Sequence, residues 1–520
     1  MKTNRASREE RLFRTLFVLF LLAGVGARVW RFGSVPGGLN QDEAFAAYEA
    51  WCLLETGRDS FGHSVPVYLT AWGSGMNVLE SWLMIPCIAL FGRQDWAVRL
   101  PQLFVAVLSL PAAYGVLKRM ADRWAGLCGL FLLAVCPWHI FLSRWGLESN
   151  LAPGFLLFGL YFFLRGMENC RWLPLPALMY GLALYCYAAI WPFVPLMLLL
   201  QTGYALRCGG LSPRGREGAW LWGSAGLLFL LALPLMLFLL VNWGILPELH
   251  LGPLTVPRLV VMRAGEFSLS RIPENAANLL ELILRRWDGL PWNGTDRFRL
   301  FYPGTLALAC VGIYRAVREL AASLRAREAH PLALLLIQLL AGILQGLTIE
   351  VNANRVNTLW MPVVLLAAAG AWHLAGLVGR RGLLIPLLVY GVLFVRLEGY
   401  YFTGYARETQ WCFGTGLEEA VDAALAREGE IRVSREANYA RVLWYSGQDP
   451  EEYRATVAYS NYPSPFLDVD GFGRFRFFTA LGEPDPACVY LVERGAGAEA
   501  LRRAGFTVEE HGYYVTAFRE

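Results

Sequence analysis

The chain has 520 residues, of which 56% are hydrophobic and only 17% are charged, and its formal net charge is +4. A chain this apolar, with repeated hydrophobic runs of roughly 20 residues, cannot fold as a string of soluble domains and must bury those runs in lipid. Nucleic-acid binding is excluded as well, because lysine and arginine cluster in short loops and form no basic face. The composition predicts an α-helical polytopic membrane protein.

The N-terminus predicts a retained signal anchor. Basic residues from Lys2 to Arg14 precede the apolar segment Leu16 to Ala27, which has no convincing small-residue cleavage site. By the tendency of positive loops to stay inside, the N-terminus is expected in the cytoplasm. The other basic loops are expected on the same side of the membrane.

This placement predicts about eleven transmembrane helices, and up to thirteen if further segments cross. The segment Val78 to Phe91 is apolar, but a full crossing there would put every later basic loop outside, so it is expected to re-enter the outer leaflet. The eleven spans are expected near residues 12–30, 97–117, 124–141, 150–166, 174–190, 192–207, 218–241, 301–317, 331–350, 356–378 and 382–398.

The chain divides into two predicted domains. Residues 1–398 form the transmembrane domain, with a first outer loop at 31–96 and a long outer loop at 243–300. Residues 399–520 are more charged and predict a small extracytoplasmic α/β domain. Its helices are expected at 416–427 and 498–504, and its strands at 430–433, 488–492 and 513–518. No nucleotide fingerprint or zinc spacing occurs in it, so its role is not readable from sequence.

The acidic pair Asp42 and Glu43 opens an amphipathic helix directly after the first span. Asn40 can cap a helix from Gln41 to about Glu55, which places both carboxylates in the first turn, where the helix dipole stabilises negative charge. Acidic helix starts are common, so a purely stabilising role is the alternative to a catalytic one. Successive helical residues point about 100° apart, so the two carboxylates are not expected to face the same atom.

Other residues of this helix have expected roles too. Asp42 shares a face with Phe45 and Glu49, which are expected to line a cleft. Phe45, Tyr48 and Cys52 form an apolar edge that is expected to rest on lipid. Tyr48 is also a candidate substrate-binding residue.

Four stretches together resemble the GT-C membrane glycosyltransferases. The helix with the acidic pair is followed by GRDSFGHSVPVY (57–68), FGRQDWAVRLPQ (91–102) and PWHIFLSRWGLESN (137–150). The combination is most similar to the protein O-mannosyltransferase and lipid A aminoarabinose-transferase type, including less characterised bacterial members. It covers roughly residues 10–400. No Lys-Pro-Pro follows a glutamate in the first loop, where Val65-Pro66-Val67 stands, so the donor of the aminoarabinose transferases is not implied.

The resemblance implies a sugar donor carried on polyprenyl phosphate and used on the outer face of the cytoplasmic (plasma) membrane. The first acidic residue of the pair is the catalytic base in such enzymes, and that role carries to Asp42, with Glu43 as the second member of the pair. The base would take the proton of an acceptor hydroxyl as it attacks and inverts the anomeric carbon. Glu148 matches an acidic position close to the active site. The sugar and the acceptor, whether protein, lipid or cell-wall polymer, are not implied.

The departing phosphate requires cations close to it. Arg355 lies in the outer turn VNANRVN, where a positive charge runs against the topology trend and three asparagines surround it. Arg144, in SRWGLESN, is a second candidate, although an arginine snorkelling at the interface is an equal alternative. Arg28 and Arg31 are weaker candidates.

A divalent metal ion is a candidate cofactor that the residues do not specify. His63, Glu49 and Glu80 lie in the first loop, yet their spacing fits no metal motif.

Two other classes stay open besides an enzyme. A flippase or transporter of lipid-linked sugars would share the many spans, but it would be expected to carry ionisable residues within them and to show an internal repeat. A non-catalytic membrane scaffold would have little use for clustered outer carboxylates and arginines.

Overall fold

A computed structural model describes residues 2–262 and 268–519. Up to Tyr400 the described chain is mostly helical, because apolar segments in lipid must satisfy their backbone groups internally. Its helices are α1 (Lys2–Val29), α2 (Gln41–Thr56), α3 (Leu79–Phe91), α4 (Asp95–Met120), α5 (Arg123–Ala134), α6 (Pro137–Leu142), α7 (Glu148–Glu168), α8 (Pro174–Leu184), α9 (Phe193–Arg207), α10 (Gly215–Asn242), α11 (Ile272–Arg285), α12 (Thr305–Ala326), α13 (Ala333–Thr348), α14 (Trp360–Val378) and α15 (Leu384–Tyr400). A two-stranded antiparallel sheet, β1 (Leu249–Leu251) and β2 (Leu254–Val256), precedes α11.

Seven helical segments in the described residues are long and apolar enough to cross a membrane. They are Ser7–Val29, Asp95–Met120, Glu148–Glu168, Ala188–Arg207, Gly215–Asn242, Asn357–Val378 and Leu384–Glu408. With 13 residues, α3 is too short to span, in agreement with a re-entrant segment. The multi-pass helical architecture is confirmed, and the count of about eleven crossings stays a prediction.

The rest of the chain forms an α/β domain, as predicted. Its helices are α16 (Ala406–Glu408), α17 (Gln410–Phe413), α18 (Leu417–Leu425), α19 (Tyr439–Ser446), α20 (Pro450–Thr456) and α21 (Ala496–Arg503). Its strands are β3 (Ile431–Ser434), β4 (Ala458–Tyr459), β5 (Val469–Phe472), β6 (Phe475–Phe478), β7 (Val489–Glu493), β8 (Thr507–His511) and β9 (Tyr514–Phe518). They form one sheet in the order β4-β5-β6-β3-β7-β9-β8, in which β3 is parallel to β6 and β7 and the other pairs are antiparallel.

The sequence located only part of this domain. The predicted helices correspond to α18 and α21, and the predicted strands to β3, β7 and β9. The other four strands and the helices α19 and α20 were missed. Two of the missed strands, β5 and β6, are only four residues long and end in two adjacent nonpolar residues, so neither shows the clean alternation that marks a half-exposed strand.

The C-terminal domain shares a hydrophobic core with α2. Phe45 and Tyr48 are 1% and 0% exposed, and their rings contact those of Tyr439 and Tyr453 with centroid distances of 6.0 and 5.7 Å. The prediction that Phe45, Tyr48 and Cys52 rest on lipid is therefore wrong, because protein covers this edge. An apolar helical stripe identifies a buried face but does not identify what buries it.

Polar contacts fix the same interface. The Tyr48 hydroxyl donates to the carbonyl of Gln448 at 3.0 Å. The Arg93 guanidinium donates to the carbonyl of Trp444 at 2.7 Å, and the Tyr445 hydroxyl lies 3.1 Å from the Asp95 carboxylate. The domain is thus held on the first loop, directly above the helix that carries the acidic pair.

Candidate functional site

The first turn of α2 is set by a reciprocal cap. The Asn40 side-chain oxygen accepts a hydrogen bond from the backbone N–H of Asp42 at 3.1 Å, and the Glu43 carboxylate accepts one from the backbone N–H of Asn40 at 3.2 Å. These two bonds satisfy donors that the helix itself leaves unpaired. The predicted cap and helix start are confirmed, and Asp42 is held at a fixed, half-buried position.

Glu43 points away from Asp42 into the protein. Its carboxylate lies 2.7 and 2.9 Å from Nε and Nη2 of Arg99, and it also accepts from the backbone N–H of Gly146 at 2.7 Å. Both side chains of the pair are fully buried. Glu43 therefore anchors α2 to α4, and the divergence of the two carboxylates follows the 100° spacing of helical residues.

A cavity of about 620 Å³ lies between the helical bundle and the C-terminal domain. Its volume is in the range of ligand sites, roughly 300–1,000 Å³. Three of the predicted site residues, Asp42, Glu148 and Arg355, line it. They come from three segments far apart in sequence, namely the start of α2, the start of α7 and the turn before α14.

Glu148 connects two walls of the cavity. Its carboxylate accepts a hydrogen bond from the backbone N–H of Asn77, which follows a tight hairpin closed by pairing of Leu69 with Met76. Glu148 is also the first residue of α7, where the helix dipole favours a negative charge. The hairpin and α7 are thereby fixed to each other at the cavity wall.

The turn that carries Arg355 is braced by the protein. Its backbone N–H donates to the Asn352 side chain at 2.8 Å, and its carbonyl accepts from the Gln345 side chain at 3.0 Å. The carboxylate of Asp288, in the long loop, accepts from the backbone N–H of Ala353 at 2.8 Å. The guanidinium pairs with Glu350 at 2.8 Å.

The asparagines around Arg355 bind protein. Asn354 and Asn357 donate to the side-chain oxygen of Asn150 at 3.3 and 3.2 Å, and Asn357 accepts from the indole N–H of Trp138 at 2.8 Å. This network ties the turn to α7, two residues from Glu148. The amides position the turn that carries the arginine, and Asn352 and Asn354 also line the cavity.

The other predicted site residues, Glu43, Arg28, Arg31, Arg144 and Tyr48, do not line the cavity. Arg144 is buried, and its guanidinium makes hydrogen bonds of 2.9–3.2 Å to five backbone carbonyls at and beyond the end of α1, those of Ala27, Arg28, Trp30, Arg31 and Val35. The side chain of Arg28 binds the carbonyls of Gly24, Leu133 and Ala134 and a ring nitrogen of His139. The hydroxyl of Tyr48 faces the C-terminal domain, as described above. Buried arginines satisfy free carbonyls at helix ends, which sequence alone does not distinguish from phosphate binding.

The C-terminal domain provides a large part of the cavity wall, which the sequence did not indicate. The contributing residues include Arg435, Asn438, Tyr439, Arg441, Phe466 and Asp468. Arg441 is 5% exposed, and its Nη2 donates at 2.8 Å to the Cys412 carbonyl, which also accepts from the side chain of Asn40 at 3.4 Å. The domain therefore reaches the cap of the helix that carries Asp42.

The residues suggested for a metal ion do not come together. His63 lies 3.2 Å from Asp59 and 3.6 Å from Glu248, whereas Glu80 lies beside Gly146. Across residues 2–262 and 268–519, no group of three histidine, cysteine, aspartate or glutamate side chains has the geometry to hold a metal. The candidate divalent metal stays untested.

Glu49 carries a testable pH dependence. Burial, reinforced by the negative charge of Asp59, raises its pKa to about 8, although Ser60 donates two hydrogen bonds to it. Its ordinary pKa is about 4.3, so between about pH 4.3 and pH 8 the folded state binds more protons than the unfolded state. The stabilising effect of the protonated form is complete below this window and is lost as the pH rises through it, by at most about 1.4 kcal/mol per pH unit.

Glu49→Gln should therefore flatten the pH profile of stability, because glutamine mimics the protonated acid. We expect the variant to melt at the wild-type temperature near pH 4.5 and above it at pH 8, as measured by thermal unfolding in detergent. Glu55→Gln, at the end of the same helix, serves as control and should leave the profile unchanged. If the melting temperatures of wild type and Glu49→Gln change with pH in the same way, the raised pKa of Glu49 is contradicted.

Comparison with known proteins gives the following relationships. Residues 78–244 match the model of a family described as dolichyl-phosphate-mannose-protein mannosyltransferase. No match was found among curated protein sequences. The structure of ArnT from Cupriavidus metallidurans in the apo state superposes with a TM-score of 0.52 at 14% identity, over 99% of this chain and 98% of that one. The fold is that of a GT-C membrane glycosyltransferase.

Two further structures extend the comparison. ArnT from the same organism bound to undecaprenyl phosphate has a TM-score of 0.50 at 14% identity and covers 98% of each chain. The oligosaccharyltransferase AglB from Archaeoglobus fulgidus is 12% identical with a TM-score of 0.47, and the match covers 84% of this chain but 64% of the length of that one. The predicted GT-C fold class is confirmed, and the family match agrees with the predicted enzyme class.

Proposed function

We propose that this protein transfers a sugar from a polyprenyl-phosphate donor to an acceptor hydroxyl, with inversion at the anomeric carbon, on the outer face of the cytoplasmic membrane. The observation that carries the proposal is the convergence of Asp42, Glu148 and Arg355 on one cavity. A base, a second carboxylate and a cation are the groups that such a transfer needs. ArnT, which shares the fold, has been seen with undecaprenyl phosphate bound.

Asp42 is the general base in this proposal. Asp42 lies in the first turn of α2, where the helix dipole favours a negative charge. The carboxylate takes the proton of the acceptor hydroxyl as the oxygen attacks the anomeric carbon. The bond from that carbon to the phosphate oxygen breaks, and polyprenyl phosphate leaves with the bonding electrons.

Arg355 is the proposed partner of the leaving phosphate. Its guanidinium donates in a planar fork that suits phosphate oxygens, and its turn is rigidly braced on α7 and on the long loop. Glu350, which pairs with it, would have to be displaced or shared. Glu148 lies at the same cavity and is assigned to orienting the acceptor hydroxyl. Glu43, Arg144 and Arg28 have supporting roles because their contacts hold the scaffold.

The reaction is tested with the full-length protein in membranes supplied with radiolabelled polyprenyl-phosphate sugars. Release of polyprenyl phosphate and transfer of label to endogenous acceptors are expected from at least one hexose or pentose donor. A flippase would move intact donor across proteoliposomes without releasing polyprenyl phosphate. A scaffold would do neither, and either result would overturn the proposal.

Arg355→Ala should weaken binding of undecaprenyl phosphate roughly 10- to 100-fold, because hydrogen bonds to a charged group contribute about 1.5–3 kcal/mol. Binding is measured as retention of the labelled lipid by detergent-solubilised protein. Arg258→Ala, which removes an exposed arginine from the same long loop as Asp288, is the control and should bind like wild type. Equal affinity of Arg355→Ala and wild type would remove Arg355 from the phosphate site.

A further inference from the structure

One part of the cavity wall is an aromatic assembly built from two distant segments. Trp72 comes from the hairpin of the first loop, and Tyr439 is the first residue of α19 in the C-terminal domain. Their ring centroids are 5.3 Å apart with planes at 73°, and Phe45 of α2 lies 4.8 Å behind Trp72. Both Trp72 and Tyr439 line the cavity that also contains Asp42.

The backbone holds this wall in an unfavourable conformation. Trp72 has φ +62° and Asn438 has φ +63°, a region that bulky side chains rarely adopt. The Trp72 carbonyl accepts from the backbone N–H of Leu467 at 2.8 Å, so the C-terminal domain clamps the hairpin. Backbone strain of this kind is concentrated at ligand sites, where the surrounding structure enforces it.

Polar groups flank the two rings. Asn438 donates from its side chain to Gln41 at 3.0 Å, next to Asp42. Arg435 lies 2.6 Å from Asp470 and 4.0 Å from Asp468, so its charge is largely paired. The wall thus combines partly exposed aromatic rings with hydrogen-bonding groups. A sugar ring has the complementary surface, with apolar C–H faces and hydroxyl groups around its edge, whereas a phosphate or an acyl chain has only one of these features.

We propose that Trp72 and Tyr439 form the subsite for the sugar ring of the donor, with Asn438 and the pair Arg435–Asp468 binding its hydroxyls. This inference rests on the proposed function, because it places the transferred sugar between the base Asp42 and the phosphate partner Arg355. The C-terminal domain is then a component of the donor site. Its removal eliminates one half of the sugar pocket.

The test compares two lipids on the same variants. Undecaprenyl phosphate reports the phosphate site alone, and the undecaprenyl-phosphate sugar that the wild type turns over reports phosphate and sugar together. For Trp72→Leu and Tyr439→Leu, we expect affinity for the sugar-bearing lipid to fall roughly 5- to 20-fold, because an aromatic contact and its buried area are lost. Affinity for undecaprenyl phosphate should stay within about twofold of wild type.

Trp243→Leu is the matched control, since this tryptophan is 59% exposed and does not line the cavity. It should bind both lipids like wild type. Trp72→Phe keeps an aromatic ring and should lose less affinity for the sugar-bearing lipid than Trp72→Leu. If Trp72→Leu does not fold, Trp72→Phe and Tyr439→Leu together test the sugar subsite. An equal loss of affinity for both lipids, or unchanged affinity for the sugar-bearing lipid, would overturn the sugar subsite. A wild type that binds and turns over no donor would instead overturn the proposed function.

Discussion

Asp42→Asn is expected to lower the rate of sugar transfer by roughly 100- to 10,000-fold, the contribution typical of a general base. Asparagine has nearly the same shape but cannot accept a proton. The helix should remain intact, because Asn40 caps the backbone N–H of residue 42 whatever its side chain. Binding of undecaprenyl phosphate should therefore be close to wild type while release from the donor nearly stops. Single-turnover release of polyprenyl phosphate measures the chemical step directly.

Two comparisons sharpen this experiment. Asp296→Asn removes a carboxylate that is 77% exposed in the long loop and should leave turnover unchanged. Glu148→Gln should lower turnover less than Asp42→Asn, because the proposed role of Glu148 is orientation. A fully active, correctly folded Asp42→Asn protein would exclude Asp42 as the base.

Glu43→Gln or Arg99→Gln should each destabilise the fold by about 3–5 kcal/mol, the usual consequence of leaving one buried charge without its partner. Neither side chain of this pair is exposed to solvent, and Glu43 also binds the backbone of Gly146. The double variant should be less destabilised than the two single changes would suggest, since no uncompensated charge remains. Unfolding in detergent, followed by near-ultraviolet circular dichroism, gives the three values.

The pair Arg355–Glu350, which solvent reaches, is the control for the stability effect expected of the buried pair Glu43–Arg99. Its glutamate is 69% exposed, so Glu350→Gln should change the free energy of unfolding by no more than about 1 kcal/mol. If Glu43→Gln unfolds like wild type but loses turnover, then Glu43 acts in catalysis and not as an anchor. If it is destabilised and the remaining folded protein turns over normally, the anchoring role holds.

Local features of the site were predictable from sequence because their signals are local. The cap at Asn40, the helix start with both carboxylates and the divergence of Asp42 from Glu43 follow from helix geometry and neighbouring residue types. Asp42 and Glu148 were expected near one another through the family resemblance, and Arg355 was added because a positive charge in an outer turn runs against the topology trend. No spacing rule connects residues on three separate segments.

Other features lacked any local signal. Arg99 lies in the stretch FGRQDWAVRLPQ, and an arginine within an apolar helix indicates a buried partner. Nothing in the sequence identifies Glu43 as that partner. Arg144 and Arg28 had the charge expected for phosphate binding, but backbone carbonyls at the end of α1 bind Arg144 and those at the end of α5 bind Arg28. The docking of α19 on α2 depends on shape complementarity between surfaces about 400 residues apart, which hydrophobic periodicity does not encode.

The bond from Tyr48 to Gln448 joins residues separated by 400 positions, and the core around it contains residues from Leu39 to Phe518. The ribosome makes α2 early and makes α19 and α20, which cover it, only near the end of the chain. Until then the apolar edge of α2 has no partner, and the pocket that α19 helps to enclose does not exist. Under the proposed function, a chain that still lacks these helices has no complete donor pocket and cannot yet transfer sugar.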